Sequence, residues 1–189
     1  MPSLPLSKQA NVNCNRIGGI KRIFLTTTST IDTITLGSNH NITNLVFATA
    51  GTGFAQVNFK MGEAELTESA EMMNTVSLNF AIPNPDATRR KELQVIKNAC
   101  EMYAVVELYD GDELLFVGYD AIVEEEGFLK HGTTESTSGR AKTDANLFSA
   151  TLTAEQGEYL RVLSGISGAT VPATTLPAII AELLVPTSV

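Results

Sequence analysis

The chain has 189 residues, of which 43% are hydrophobic and 18% are charged, and its 21 acidic against 13 basic side chains give a net charge of −8. This composition excludes a chain that is disordered throughout, which would carry more charge and fewer aliphatic residues. It also excludes a generic basic nucleic-acid binder, because binding to phosphates requires an excess of Lys and Arg. The length predicts one domain that buries enough surface to fold without disulfides or metal.

The N-terminal part of the chain is predicted to be rich in β-strands. Residues 1–12, with Pro2 and Pro5, are expected to form an extended arm ahead of a β-rich domain over residues 13–165. Paired glycines at 18 and 19 predict a bend or bulge. From β-branched content and alternation, strands are predicted over residues 20–25, 26–36, 45–48, 54–66 and 75–82. The run over 75–82 has the clearest period of two, so it is the firmest strand signal in the chain.

The periodicity changes after residue 82. Asn84 can cap a helix and Pro85 suits the first helical position. Four residues recur at helical spacing and define one apolar face: Leu93, Ile96, Cys100 and Tyr103. The sequence therefore predicts one helix from about residue 85 to 102, with Cys100 in the core.

Further strands are predicted in the second half of the chain. Strands over 103–109 and 113–119 are joined by Asp110-Gly111, a strong signal for a two-residue hairpin, and the second strand is expected to continue over 121–123. The prediction is completed by a polar loop over 124–144 and a strand over 146–153. A proline-containing tail follows over 166–189, with a short helix at 177–184. The predicted fold class is mainly β, an antiparallel β-sandwich or open barrel with one flanking helix.

The residues predict no catalytic site, metal site or cofactor. His40 and His131 are placed in a turn and a loop, and neither has a second His or Cys at metal spacing. The two cysteines are predicted to be free thiols. No run approaches the ~20 apolar residues that span a bilayer, so no membrane partner is expected. These features favour a scaffold or assembly protein over an enzyme.

Three stretches of the chain carry a resemblance to a known family. Residues 73–120 give a strand, a helix, a strand, the Asp-Gly hairpin and Gly-Tyr-Asp, and residues 139–155 contain Gly-Arg-Ala-Lys-Thr-Asp-Ala-Asn before a strand ending in Glu. Residues 14–25 open with Cys-Asn-Arg-Ile-Gly-Gly-Ile-Lys. This pattern resembles the tail-tube and tail-ring proteins of bacteriophages, especially those of phages infecting Bacteroidetes, including the crAss-like group. Residues 26–70 and the C-terminal tail lie outside the resemblance.

The resemblance implies a non-enzymatic virion protein with a tail-tube-like fold. Such subunits pair strand edges with copies of themselves to build sixfold or twelvefold rings around a DNA channel. Adjacent tail or portal proteins are the other implied partners, and the implied location is the virion tail, assembled in the bacterial host cytoplasm. An acidic chain suits this function, because Lys and Arg contacts would hold the DNA that must slide through the channel.

Particular residues are assigned roles under this interpretation. The acidic run Glu124, Glu125 and Glu126 is the candidate for the lumen, although a solvated acidic turn is the simpler interpretation of this run. The candidates for contacts between subunits, drawn from the arm and the 124–144 loop, are Ser3, Leu4, Leu6, His131, Thr133, Thr134 and Arg140. Two alternatives remain open: another virion assembly protein, such as a head decoration, portal adaptor or fibre-base subunit, and a monomeric β-sandwich that binds carbohydrate or peptide.

Overall fold

The computed structural model describes residues 19–49, 52–70, 73–83, 86–109, 113–122, 127–137, 146–167, 172–173 and 176–184. The strands in these ranges are β1 (Ile20–Thr27), β2 (Ile31–Leu36), β3 (Asn41–Phe47), β4 (Ala55–Val57), β5 (Ala64–Ala70), β6 (Asn74–Pro83), β7 (Met102–Leu108), β8 (Leu114–Val117), β9 (Lys130–Thr137), β10 (Leu147–Gln156), β11 (Arg161–Leu163), β12 (Ile166–Ser167) and β13 (Pro172–Ala173). The helices are α1 (Ala87–Asn98) and α2 (Leu176–Leu183). The mainly β prediction is therefore confirmed.

The strands form two larger sheets and one short pair. The seven-stranded sheet has the order β2-β3-β11-β8-β7-β1-β4, and the four-stranded sheet has the order β5-β6-β10-β9. All pairs within the four-stranded sheet are antiparallel, whereas β11 pairs in parallel with β3. Among the described strands neither sheet closes on itself, so the fold is an open, sandwich-like stack and not a closed barrel.

The hydrophobic core has two parts, one on each face of the seven-stranded sheet. The first lies between the two large sheets and joins Ile23 and Val106 to Leu78 and Leu152. The second lies on the opposite face of the seven-stranded sheet and is covered by α2. Burial on both faces explains why β7 has six buried residues in succession and no alternation: the first five are apolar and the sixth is Glu107.

The predicted helix is shorter than expected and begins with a different cap. Asp86 is the N-cap, and its side chain accepts a hydrogen bond of 2.8 Å from the backbone N–H of Arg89. The helix ends at Asn98 and Cys100 is exposed, contrary to the prediction, whereas Tyr103 lies on β7, as the strand predicted over 103–109 placed it. The reason is that residues 102–108 gain ladder hydrogen bonds from β1 and β8 that a helical extension would forgo.

The predicted polar loop over 124–144 contains an eight-residue strand, β9, which pairs with β10 along most of its length. The prediction missed it because β9 is mostly exposed and shows no apolar alternation. Conversely, the continuation expected over 121–123 is wrong at Ala121 and Ile122, which form a turn after Gly118 adopts a φ of +96°.

The run over 54–66 and the C-terminal region are the remaining segments to compare with the prediction. The alternating run over 54–66 is divided between β4 and β5 by a turn in which Gly62 has a φ of +82°. The short helix expected at 177–184 is confirmed as α2. The region predicted as a tail also contributes to the hydrophobic core. Ile166, Ile179 and Leu183 pack in its second part, against strands of the seven-stranded sheet.

Candidate assembly surface

The four-stranded sheet has two long edge strands, β5 and β9. Each pairs on one side only, β5 with β6 and β9 with β10, and neither has a second partner among the described strands. We call these the open edges of the sheet. An edge of seven or eight residues presents a row of backbone donors and acceptors that can pair with another chain.

One face of this sheet is hydrophobic and the other is polar. The register places Leu66 beside Leu78 and Leu78 beside Leu152 on the inner face, where both Leu78 and Leu152 are fully buried. On the outer face the same register aligns Thr67 with Ser77 and Ser77 with Thr153. The outer face therefore carries mainly short hydroxyl and amide side chains, while the inner face packs in the hydrophobic core.

The charges on the outer face are mostly negative. Glu65 on β5, Glu135 on β9 and Glu155 on β10 occupy outer positions and are exposed. Within the described part of the sheet, the cation on this face is Lys130, opposite Thr153. Three carboxylates against one ammonium make the face acidic, and its other outer positions carry no charge.

The structure places three of the predicted contact residues on β9. Thr133 is exposed on the outer face opposite Thr151, while Thr134 and His131 point to the inner side opposite Ala150 and Leu152. His131 is half-buried on a strand, so its predicted place in a loop is wrong. The structure thus places Thr133 and Thr134 on an open edge of the sheet, and their role in contacts between subunits stays a prediction.

The other predicted residues lie outside the described residues: Ser3, Leu4, Leu6, Glu124, Glu125, Glu126 and Arg140. The acidic outer residues Glu65, Glu135 and Glu155 were not singled out from the sequence. The sequence gives only a weak indication of their position. Which face of the sheet a single glutamate occupies becomes clear only when the neighbouring strands and their register are known. The polar positions of β6, such as Ser77 and Asn79, were visible as one face.

A cluster of polar residues holds the chain between β10 and β11. Arg161 donates two hydrogen bonds to Glu158, with Nε 2.7 Å from Oε1 and Nη2 2.5 Å from Oε2. The backbone N–H of Ala121 also donates to Glu158, at 3.2 Å. Nε2 of His40 lies 2.7 Å from the carbonyl oxygen of Tyr159. These contacts fix the turn after β8 and the turn before β3 against one another.

The charges of this cluster shift the pKa of its acid. Burial acts to raise the pKa of Glu158, but the hydrogen bonds from Arg161 and Ala121 and the charge of Arg161 outweigh it and hold this pKa below its usual value. The same pairing raises the pKa of Arg161. Asp120, which is fully buried nearby, accepts hydrogen bonds from the backbone N–H groups of Ile122 and Gly157. The cluster therefore has a structural role: its complementary charges and hydrogen bonds hold the turn after β8 against the segment between β10 and β11.

Comparison with known proteins returned no matching family model, no similar curated protein and no similar solved structure. In the described ranges, no helix is both long and apolar enough to cross a bilayer. In the same ranges, no three His, Cys, Asp or Glu side chains are grouped so that they could hold a metal ion.

Proposed function

We propose that this protein is a structural subunit of a ring or tube in a bacteriophage tail, through which DNA passes. The observation that carries the proposal is the four-stranded sheet, with two open edges, a hydrophobic inner face and an acidic, hydroxyl-rich outer face. The resemblance in sequence to phage tail-tube and tail-ring proteins supports the same function, and a tail-tube-like fold is part of the proposal.

The two open edges favour head-to-tail assembly. β5 and β9 lie on opposite sides of the sheet and differ in sequence, so pairing β5 of one copy with β9 of the next is a heterologous contact. A contact of this kind generates a closed ring when the successive rotations from one copy to the next add up to a full turn. Ring closure also removes the open edges, which would otherwise be sites of aggregation.

The outer face provides a suitable channel lining. In a ring built by edge pairing, the face opposite the core faces either the lumen or the exterior, and we assign it to the lumen. Hydroxyl groups keep such a wall hydrated, and Glu65, Glu135 and Glu155 repel phosphates. Because the wall offers few cations to the phosphates, DNA that passes along it releases few counterions into solution and is not held.

The test blocks one edge at a time with proline, which removes a backbone donor. N–H groups of adjacent residues in an edge strand point alternately inward and outward, so Thr133→Pro and Thr134→Pro are both made on β9, and Thr67→Pro and Glu68→Pro on β5. The variant of each pair that keeps the native circular dichroism and thermal transition is used. Analytical ultracentrifugation and negative-stain electron microscopy measure assembly.

We expect the unmodified protein to form annular particles and each blocked variant to remain small. A mixture of the β5-blocked and β9-blocked variants should give a dimer that grows no further, because only one open edge of each kind remains. Proline at the exposed residue Thr33 on β2, an edge of the other sheet, is the matched control and should leave rings intact. A protein that stays monomeric at all concentrations would refute the proposal and favour a binding module.

A further inference from the structure

A groove of about 350 Å³ lies between the short edge strand β4 and helix α1. Its lining is mainly apolar and includes Val57, Ile82, Ile96 and Met102. The helix contributes little burial of its own, since Leu93 is its one buried residue and Val95, which also lines the groove, is 61% exposed. This apolar surface is therefore open beside a strand edge.

The edge beside the groove can accept another strand. β4 ends the seven-stranded sheet and pairs with β1, and no other described strand pairs with its far side. An extended segment that adds to such an edge gains main-chain hydrogen bonds, and alternate side chains enter the adjoining apolar surface. The groove thus suits a strand that is apolar on one side only.

The N-terminal segment of the chain has this pattern. Its even-numbered positions from 4 to 14 are largely apolar: Leu4, Leu6, Lys8, Ala10, Val12 and Cys14. Its odd-numbered positions over the same stretch are polar apart from one proline: Pro5, Ser7, Gln9, Asn11 and Asn13. Alternation of this kind gives a strand with one apolar face.

The same segment is tethered close to the groove. A hollow of about 110 Å³ beside Ile20 and Lys21 shares Gln56, Val57 and Asn58 with the groove, so the two adjoin along β4. The five steps from Cys14 to Gly19 reach up to about 17 Å, whereas crossing from β1 past β4 takes two strand spacings, about 10 Å. The chain can therefore place residue 14 beside β4 of the same molecule.

We propose that residues 10–14 of the chain's own N-terminal segment dock in this groove as an added strand on β4, with Ala10, Val12 and Cys14 facing α1. The tether favours the chain's own segment over that of a neighbour, because it makes the docking intramolecular at high effective concentration. Ser3, Leu4 and Leu6 precede the docked strand and are not part of it. The inference does not depend on ring formation.

The first test uses the reactivity of the two native thiols. Reaction with a thiol reagent is measured separately on the Cys100→Ser and Cys14→Ser variants of the full chain. Cys100 is exposed and serves as the reference. A docked Cys14 should react at least about tenfold more slowly than Cys100. Ile96→Glu, which places a charge in the groove, should abolish this protection, and Lys97→Glu on the same helix but outside the lining should not.

The second test traps the docked strand as a disulfide and remains informative if Ile96→Glu fails to fold. In the Cys100→Ser background, Asn58→Cys introduces a thiol at an exposed groove position, and Thr33→Cys introduces one on a distant edge. We expect an intramolecular disulfide between residues 14 and 58 and none between 14 and 33. A Cys14 that reacts as fast as Cys100, a disulfide with residue 33 at equal yield, or a disulfide formed only between chains would overturn the proposal.

Discussion

Replacing Lys21 and Arg22 together is predicted to destabilise the fold by more than the sum of the two single replacements. Both side chains contact Glu107, whose side chain is fully buried: Lys21 Nζ donates to Oε1 at 2.7 Å, and Arg22 Nε lies 2.7 Å from Oε2. A bulge in the pairing of β1 with β7 between Ile20 and Arg22 brings the two cations to the same carboxylate. In a regular strand, adjacent residues would point to opposite faces.

The magnitudes follow from the burial of the three groups. Lys21 and Arg22 are 36% and 31% exposed, so Lys21→Met or Arg22→Met alone should cost about 1 kcal/mol, because the remaining cation still pairs with Glu107. The double replacement leaves a buried carboxylate with neither cation and should cost about 3–5 kcal/mol. The excess over the sum is a coupling free energy of about 1–3 kcal/mol.

The assay is urea unfolding of a β9-blocked variant of the subunit, because assembly would make the unfolding free energy depend on concentration. Adding Glu107→Gln to the double variant should recover stability, since the neutral amide has no buried charge to compensate. Lys97→Met, at an exposed position on α1, should change the unfolding free energy by less than about 0.5 kcal/mol. Additive single effects, or no recovery with Glu107→Gln, would refute the reasoning.

Three further substitutions test other parts of the fold. Gly118→Ala should lower the thermal midpoint far more than Gly62→Ala: both glycines have positive φ, but an added Cβ at 118 would lie 2.7 Å from the carbonyl oxygen of Met102 and one at 62 meets nothing within 4 Å. In urea unfolding, Leu78→Ala should cost about 2–5 kcal/mol, because Leu78 is fully buried between the sheets. Glu158→Gln should remove a stabilisation that is present above the ordinary glutamate pKa of about 4.3 and is lost as the pH falls through the lowered pKa of the folded state. Equal unfolding free energies for this variant and the unmodified chain at neutral pH would contradict that assignment.

The sequence by itself determined the elements whose signal is local. The alternation over β6, the antiparallel pairing of the strands on either side of Asp110-Gly111, and the short α2 helix all follow from periodicity and turn residues close together in the chain. The mainly β class follows from them. The start of α1 was also recognisable, although the capping residue is Asp86 and not Asn84.

Only the tertiary structure decided which edges of the sheets are open and which charges meet. β9 has no apolar alternation, and its identity as a strand depends on pairing with β10. Lys21 and Glu107 are 86 residues apart, and a bulge in the ladder brings them together. Local periodicity records how much of a segment is buried, whereas pairing partners are set by contacts distant in sequence that no short pattern contains.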